Sequence, residues 1–122
     1  MKSFQLGILF LLFLAWCPLG VAGSATKGMA SWYGKKYHGR TTASGATFNM
    51  NEMTAAHRTL PFGTQVRVTR VSSGKSVVVT INDRGPFAKN RIIDLSRKAA
   101  SQLGIIKKGQ AMVKIEVLKA AE

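Results

Sequence analysis

Two β-branched runs separated by four residues place the strongest constraint on how this chain can fold. TQVRVTRV (64–71) sets Val66, Val68 and Val71 against polar neighbours at close to a two-residue period, and SVVVTI (76–81) follows after the turn SSGK. Such a pair predicts a β-hairpin closed by a Gly-containing loop. A third run, QAMVKIEVLKA (110–120), alternates Val113, Ile115 and Val117 and predicts a further strand. MASWYG (29–34) and RIIDLS (91–96) read as two more short strands. SRKAASQLG reads as one helix, with Ser96 as N-cap and Gly104 as C-cap. Asn51 and Glu52 are placed to open a second short helix before TAAH (54–57), and the dozen residues after Gly34 read as an irregular loop turned at Gly34, Gly39 and Gly45. The fold class is therefore mainly β with one or two short helices. Strands this short and this regularly spaced predict a small barrel, which leaves no open sheet edge.

The first quarter of the 122 residues has a different character. A basic start at Lys2 leads into the apolar stretch 6–23, which closes on the small residues Ala22, Gly23, Ser24 and Ala25. That order predicts a secretory signal peptide over 1–25, cleaved between Ala22 and Ala25, with a single domain over 26–122. Pro18 and the small-residue exit favour cleavage over retention as a membrane anchor. Lipid attachment at Cys17 is disfavoured because Trp16 stands where such signals carry a small residue. The expected location is the periplasm or cell envelope. Loss of Cys17 leaves a mature domain without cysteine, so its stability rests on its core.

Eighteen Lys and Arg against five Asp and Glu give a formal charge of +13, of which the leader removes only Lys2. A field of that sign favours anionic partners such as an acidic cell-wall polymer. The charges are scattered rather than blocked, and export argues against nucleic acid as a partner. With two histidines, few acids and no phosphate-binding loop, neither a metal centre nor another cofactor is expected.

Four of the five acids have ready surface or capping roles. Glu122 is terminal, Glu116 alternates outward among lysines, Glu52 suits a helix start, and Asp94 is placed to cap the helix or pair with Arg91 or Arg97. Asp83, in INDRGPF (81–87), remains. Spacing favours a turn-forming role for it, with a carboxylate at a groove mouth as the alternative. Trp32, Tyr33, Tyr37 and Phe48 cluster in the first half of the domain. Trp32 is expected mostly buried, and Tyr33 or Tyr37 at a groove where a polar-tipped ring can stack on a sugar.

Five ordered blocks, ASWYG, HGRTTASG, TAAHRTLPFGTQVRV, VVVTINDRGPF and RIIDLSRKAASQLG, together resemble the rare lipoprotein A (RlpA)-like family from about Met29 to Leu118. The resemblance implies a six-stranded double-psi β-barrel, shared with barwin-like and expansin-like proteins. It also implies endolytic lytic transglycosylase action on peptidoglycan glycan strands, peptide-free strands preferred, with 1,6-anhydro products. It places the catalytic pair at Asp83 and His57 and implies that the His57 ring meets the Asp83 carboxylate beside a sugar-sized groove. Tyr33, Tyr37, Ser44, Asn49, Asn82 and Arg84 fall where substrate would be held, and Arg40 and Arg58 where lactyl or peptide carboxylates could be met.

The sequence departs from the family pattern after TASG. Family members carry Glu-x-Phe/Tyr-Asp there, and this chain has Ala46 and Asn49. Asn49 can hydrogen-bond but cannot carry charge. A glycan-binding, expansin-like barrel with weakened catalysis is therefore the alternative. Expected partners are peptidoglycan strands and cell-division or cell-wall proteins, with the chain acting as a monomer.

Overall fold

The computed structural model describes residues 25–121, so the expected leader and Cys17 lie outside the described residues. Six strands follow in chain order: β1 (Ala25–Trp32), β2 (Thr54–His57), β3 (Gln65–Arg70), β4 (Ser76–Asp83), β5 (Arg91–Leu95) and β6 (Gln110–Lys119). Among the described residues, one helix, α1 (Arg97–Leu103), separates β5 from β6, and one 3-10 turn spans Lys35–Tyr37. The strands close into a barrel in the order β1-β5-β2-β4-β3-β6. β1 with β5 and β2 with β4 run parallel, and the other four pairings are antiparallel. Every strand thus has two neighbours, and no backbone edge is left open.

The alternation seen in the sequence builds the interior. Val66, Val68, Val77, Val79, Ile81, Ile93, Leu95, Val113 and Ile115 are buried within it, and Ala99, Ala100 and Leu103 of α1 pack against it. Val117, which the same alternation sends inward, is exposed, and so is Val71, which is one residue out of phase with Val66 and Val68. Val71 follows the last residue of β3, and β6 runs past its last β1 partner at Glu116. α1 is capped as expected. Ser96 Oγ accepts the Ala99 N–H at 3.2 Å and donates to the Glu52 carbonyl at 2.6 Å, and Gly104 takes a left-handed conformation (φ 80°). Arg70 Nη1 donates to the Gly104 carbonyl at 3.2 Å, placing a cation at the helix C-terminus. No helix opens at Asn51–Glu52: this segment is a turn, and TAAH after it is the barrel strand β2. Its Ala-Ala centre carries no periodic signal, and its strand state comes from being wedged between β4 and β5.

Each parallel pair contains a register shift that decides which side chains face out. Between β2 and β4, Ala55 pairs with Ile81 and Ala56 with Asp83, so Asn82 is an extra residue on β4. With regular pairing in place of the shift, Ala56 would face Asn82, and Asp83 would share the face of Ile81 and point into the core. The bulge moves Asp83 onto the outward face of Ala56. Between β1 and β5, Met29 pairs with Arg91 and Ala30 with Ile93, so Ile92 is the extra residue and Arg91 moves to the outer face. Gly28 makes room for the displaced Ile92: a Cβ there would lie 2.6 Å from Ile92 Cγ2.

Candidate active site

Asp83, Ala56, Asp94 and Ser31 stand in one row across four adjacent strands. Ala56 pairs with Asp83 on one side and with Asp94 on the other, and Asp94 pairs in turn with Ser31. Two strand spacings put the aspartate Cα atoms roughly 10 Å apart, with the small side chain of Ala56 between them. All four residues line a cavity of about 450 Å³ whose walls include Tyr33, Tyr37 and Phe87. That volume lies in the usual range for small-ligand sites.

Asp83 is both a tether and a wall of this cavity. Its Oδ1 accepts the backbone N–H groups of Ala43 and Arg84, each at 2.9 Å, and its Oδ2 faces the Tyr33 hydroxyl at 3.4 Å. The bond from Ala43 ties the 40–47 loop to the barrel. Asp94 accepts a hydrogen bond from the Ser31 hydroxyl and lies 3.8 Å from Arg91 Nε, an ion pair at the cavity edge. Tyr33 stacks on the buried ring of Phe48 (4.6 Å between centroids, 19° between planes) and meets Tyr37 edge-on. Burial first, then the charges of Asp83 and Asp94 and the hydrogen bond to Asp83, push the Tyr33 phenol above its ordinary pKa. Tyr33 is thus a fixed donor.

Asp83, Tyr33, Tyr37 and Arg84 meet at the cavity as the sequence expects. His57 does not. It is absent from the cavity lining, and no hydrogen bond or ion pair joins it to Asp83 among the described residues. Its Nδ1 instead accepts the N–H groups of Thr59 and Leu60, both at 3.1 Å, fixing the turn after β2. Burial, then the charges of Arg84 and Arg58, hold the imidazole below its ordinary pKa and so in the neutral form that accepts these bonds. The link to Asp83 is indirect. Arg84 Nη1 donates to the carbonyls of His57 (3.2 Å) and Leu60 (2.8 Å), and the Arg84 backbone N–H holds Asp83. His57 fixes the turn after β2 and reaches Asp83 only through Arg84.

Arg84 and Arg58 are likewise occupied as clamps. The Arg84 guanidinium lies 4.0 Å from the centroid of the Phe62 ring and does not pair with Asp83 or Asp94. Arg58 donates to the carbonyls of Pro86, Ala88 and Arg91. Arg40 lies over the Tyr37 ring at 5.7 Å. Ser44, Asn49 and Asn82 do not line the cavity. Ser44 bonds Thr42 within its own loop, Asn49 Oδ1 accepts the Asn51 N–H at 2.8 Å, and Asn82 is the bulge residue, its Oδ1 buried without a partner among the described residues. Ala46 also lies off the cavity.

Among the cavity residues that sequence reasoning missed are Asp94, Arg91, Ser31 and Phe87. Asp94 sits between the core residues Ile93 and Leu95, and that alternation alone marks it as facing away from the core. The assignment to helix capping concealed it, since Ser96 does the capping.

The closed mixed barrel carries paired outward carboxylates beside aromatic walls, and the sequence supplies the family to which it belongs. Residues 25–115 match the family described as lytic transglycolase, and the chain belongs to that family. It is 55% identical over 96 residues to the endolytic peptidoglycan transglycosylase RlpA of Neisseria meningitidis serogroup A, covering 79% of this chain and 40% of that protein. The chain spans less than half the length of the curated relatives it matches. Among solved structures, the Streptomyces papain inhibitor superposes with a TM-score of 0.65 at 20% identity, over 81% of this chain and 98% of that one. The expansin of Clavibacter michiganensis gives 0.64 at 23% identity, over 79% and 51%. The fold is the double-psi β-barrel that the resemblance implied.

Proposed function

We propose that this barrel is an endolytic peptidoglycan lytic transglycosylase, cleaving the bond between N-acetylmuramic acid and N-acetylglucosamine in peptide-poor glycan. The observation that carries the reading is the pair Asp83 and Asp94 on one cavity floor, separated by Ala56. In the reaction Asp83 gives its proton to the glycosidic oxygen as the bond from that oxygen to muramoyl C1 breaks. The muramoyl C6 hydroxyl oxygen then bonds to C1, and its proton returns to Asp83. The products are a 1,6-anhydromuramoyl end and a free 4-hydroxyl, with no water consumed. Asp94, paired with Arg91, faces the positive charge that develops at C1. Tyr33 donates to Asp83 and fixes the carboxyl group toward the cavity.

The weakened-catalysis alternative rests on Ala46 and Asn49, which replace two family acids. Both positions lie off the cavity, and Asp94 supplies a second carboxylate within it, which favours the catalytic reading. The activity also requires export to the wall, where the leader 1–25 would deliver the chain. Fractionation of cells producing the tagged protein tests that step: retention of the full-length chain in the cytoplasm would contradict it.

The decisive test incubates purified protein with denuded sacculi and searches for anhydro-muropeptides by mass spectrometry. Product that disappears in Asp83→Asn supports transglycosylation. Binding to sacculi without product identifies an expansin-like binder instead.

A further inference from the structure

The loop after β4 presents an aromatic ring that neither the fold nor the reaction above employs. Phe87 is 86% exposed, whereas the two preceding residues, Gly85 and Pro86, are buried. Leaving a phenyl ring in water is unfavourable, and a ring serving the core would turn inward as Phe48 does. The loop carrying it is nevertheless held firmly. Arg58 donates from Nε to the Pro86 carbonyl at 2.8 Å and from Nη2 to the carbonyls of Ala88 and Arg91, pinning the backbone on both sides of Phe87. Gly85 has φ +125°, a conformation that side-chain-bearing residues rarely adopt, so glycine gives the turn the backbone geometry that sets Phe87 outward. Phe87 thereby lines the same cavity as Asp83 and Asp94, as does Tyr37 from a different loop.

An exposed ring on a clamped loop, at the rim of a cavity with a carboxylate pair on its floor, has the chemistry of a sugar platform. The axial C–H face of a pyranose is apolar and carries slight positive charge, which matches the face of an aromatic ring. A preorganised ring also avoids the ordering cost of a mobile one. We propose that Phe87 is a substrate-positioning residue that stacks under a pyranose ring flanking the scissile bond. The proposal rests on the glycan reading of the cavity, and Arg58, through its grip on the loop, is the residue that keeps the platform in place.

The test measures binding of fluorescently labelled, peptide-free peptidoglycan strands to the full chain carrying Asp83→Asn, so that the ligand is not consumed. In that background Phe87→Ala is expected to weaken binding about tenfold, and Phe87→Trp to restore it, with unchanged melting temperatures because the ring is exposed. In the chain with Asp83 intact, the loss of product caused by Phe87→Ala is expected to be larger at dilute than at saturating glycan. Equal binding by Phe87 and Phe87→Ala proteins would overturn the platform while leaving the glycan reading standing. Failure of Phe87→Trp to restore binding would overturn stacking as the mode of contact. Absence of both binding and cleavage by the unsubstituted chain would overturn the glycan reading, and the platform with it.

Discussion

At the scale of single residues, the carboxylate pair is the feature most open to test. Asp83→Asn preserves an oxygen to accept the Ala43 and Arg84 N–H groups, so its fold should survive while its acid function is lost. Asp83→Asn and Asp94→Asn are each expected to lower anhydro-product formation by about 10²–10⁴-fold, with melting temperatures within a few degrees of the parent. Quantified mass spectrometry beside a thermal melt checks both parts. His57 offers a separate prediction. Its pKa in the fold is depressed, so its neutral form contributes stability that is fully present above the unfolded value of about 6.5 and is lost as pH falls through the lower folded value. Protonation removes the acceptor for the Thr59 and Leu60 N–H groups. Chemical denaturation across this range should show wild-type stability falling with acid more steeply than that of His57→Gln, whose side chain retains an acceptor and does not titrate. Equal slopes would exclude the role given to His57.

At the scale of elements, the two bulges determine where charged side chains go. Gly28→Ala places a methyl group 2.6 Å from Ile92 Cγ2, on a β-branched side chain with little freedom to yield. It is expected to destabilise the domain by about 1–3 kcal/mol, read as a lower midpoint in urea. Ser96→Ala removes both the cap on α1 and the donor to the Glu52 carbonyl, and is expected to lower stability by about 1–2 kcal/mol. The β3–β4 hairpin, β6 and the capped helix were legible in the sequence because each writes its own local period or cap. β2 was not, since TAAH has no period and becomes a strand only through its neighbours. The carboxylate pair was half legible. Asp83 stood out by elimination, but its outward orientation depends on the extra residue Asn82, and its partner Asp94 comes from a different strand. Pairing of distant strands by register leaves no mark in local sequence. The motif resemblance put His57 in contact with Asp83, but that contact is replaced by a chain through Arg84.

At the scale of the whole molecule, charge and closure act together. A formal +13 on the chain, of which all but the charge of Lys2 falls in 26–122, gives a long-range attraction to polyanions such as a carboxylate-bearing glycan. Affinity for muramic-acid-containing strands should therefore fall as salt rises from about 50 to 500 mM, because the Debye length shrinks through the 10 Å range. A neutral chito-oligosaccharide of equal length should show much less salt dependence, and parallel binding isotherms for the two polymers make the comparison. The paired aspartates stand on the outer wall of the barrel, with the interior filled by Val and Ile side chains. If the proposed reading holds, a threadlike substrate would reach the acids from the side of the barrel, without entering its interior or presenting a free terminus. On the proposed reading, that placement would let the barrel cut mid-strand in a polymer with few loose ends.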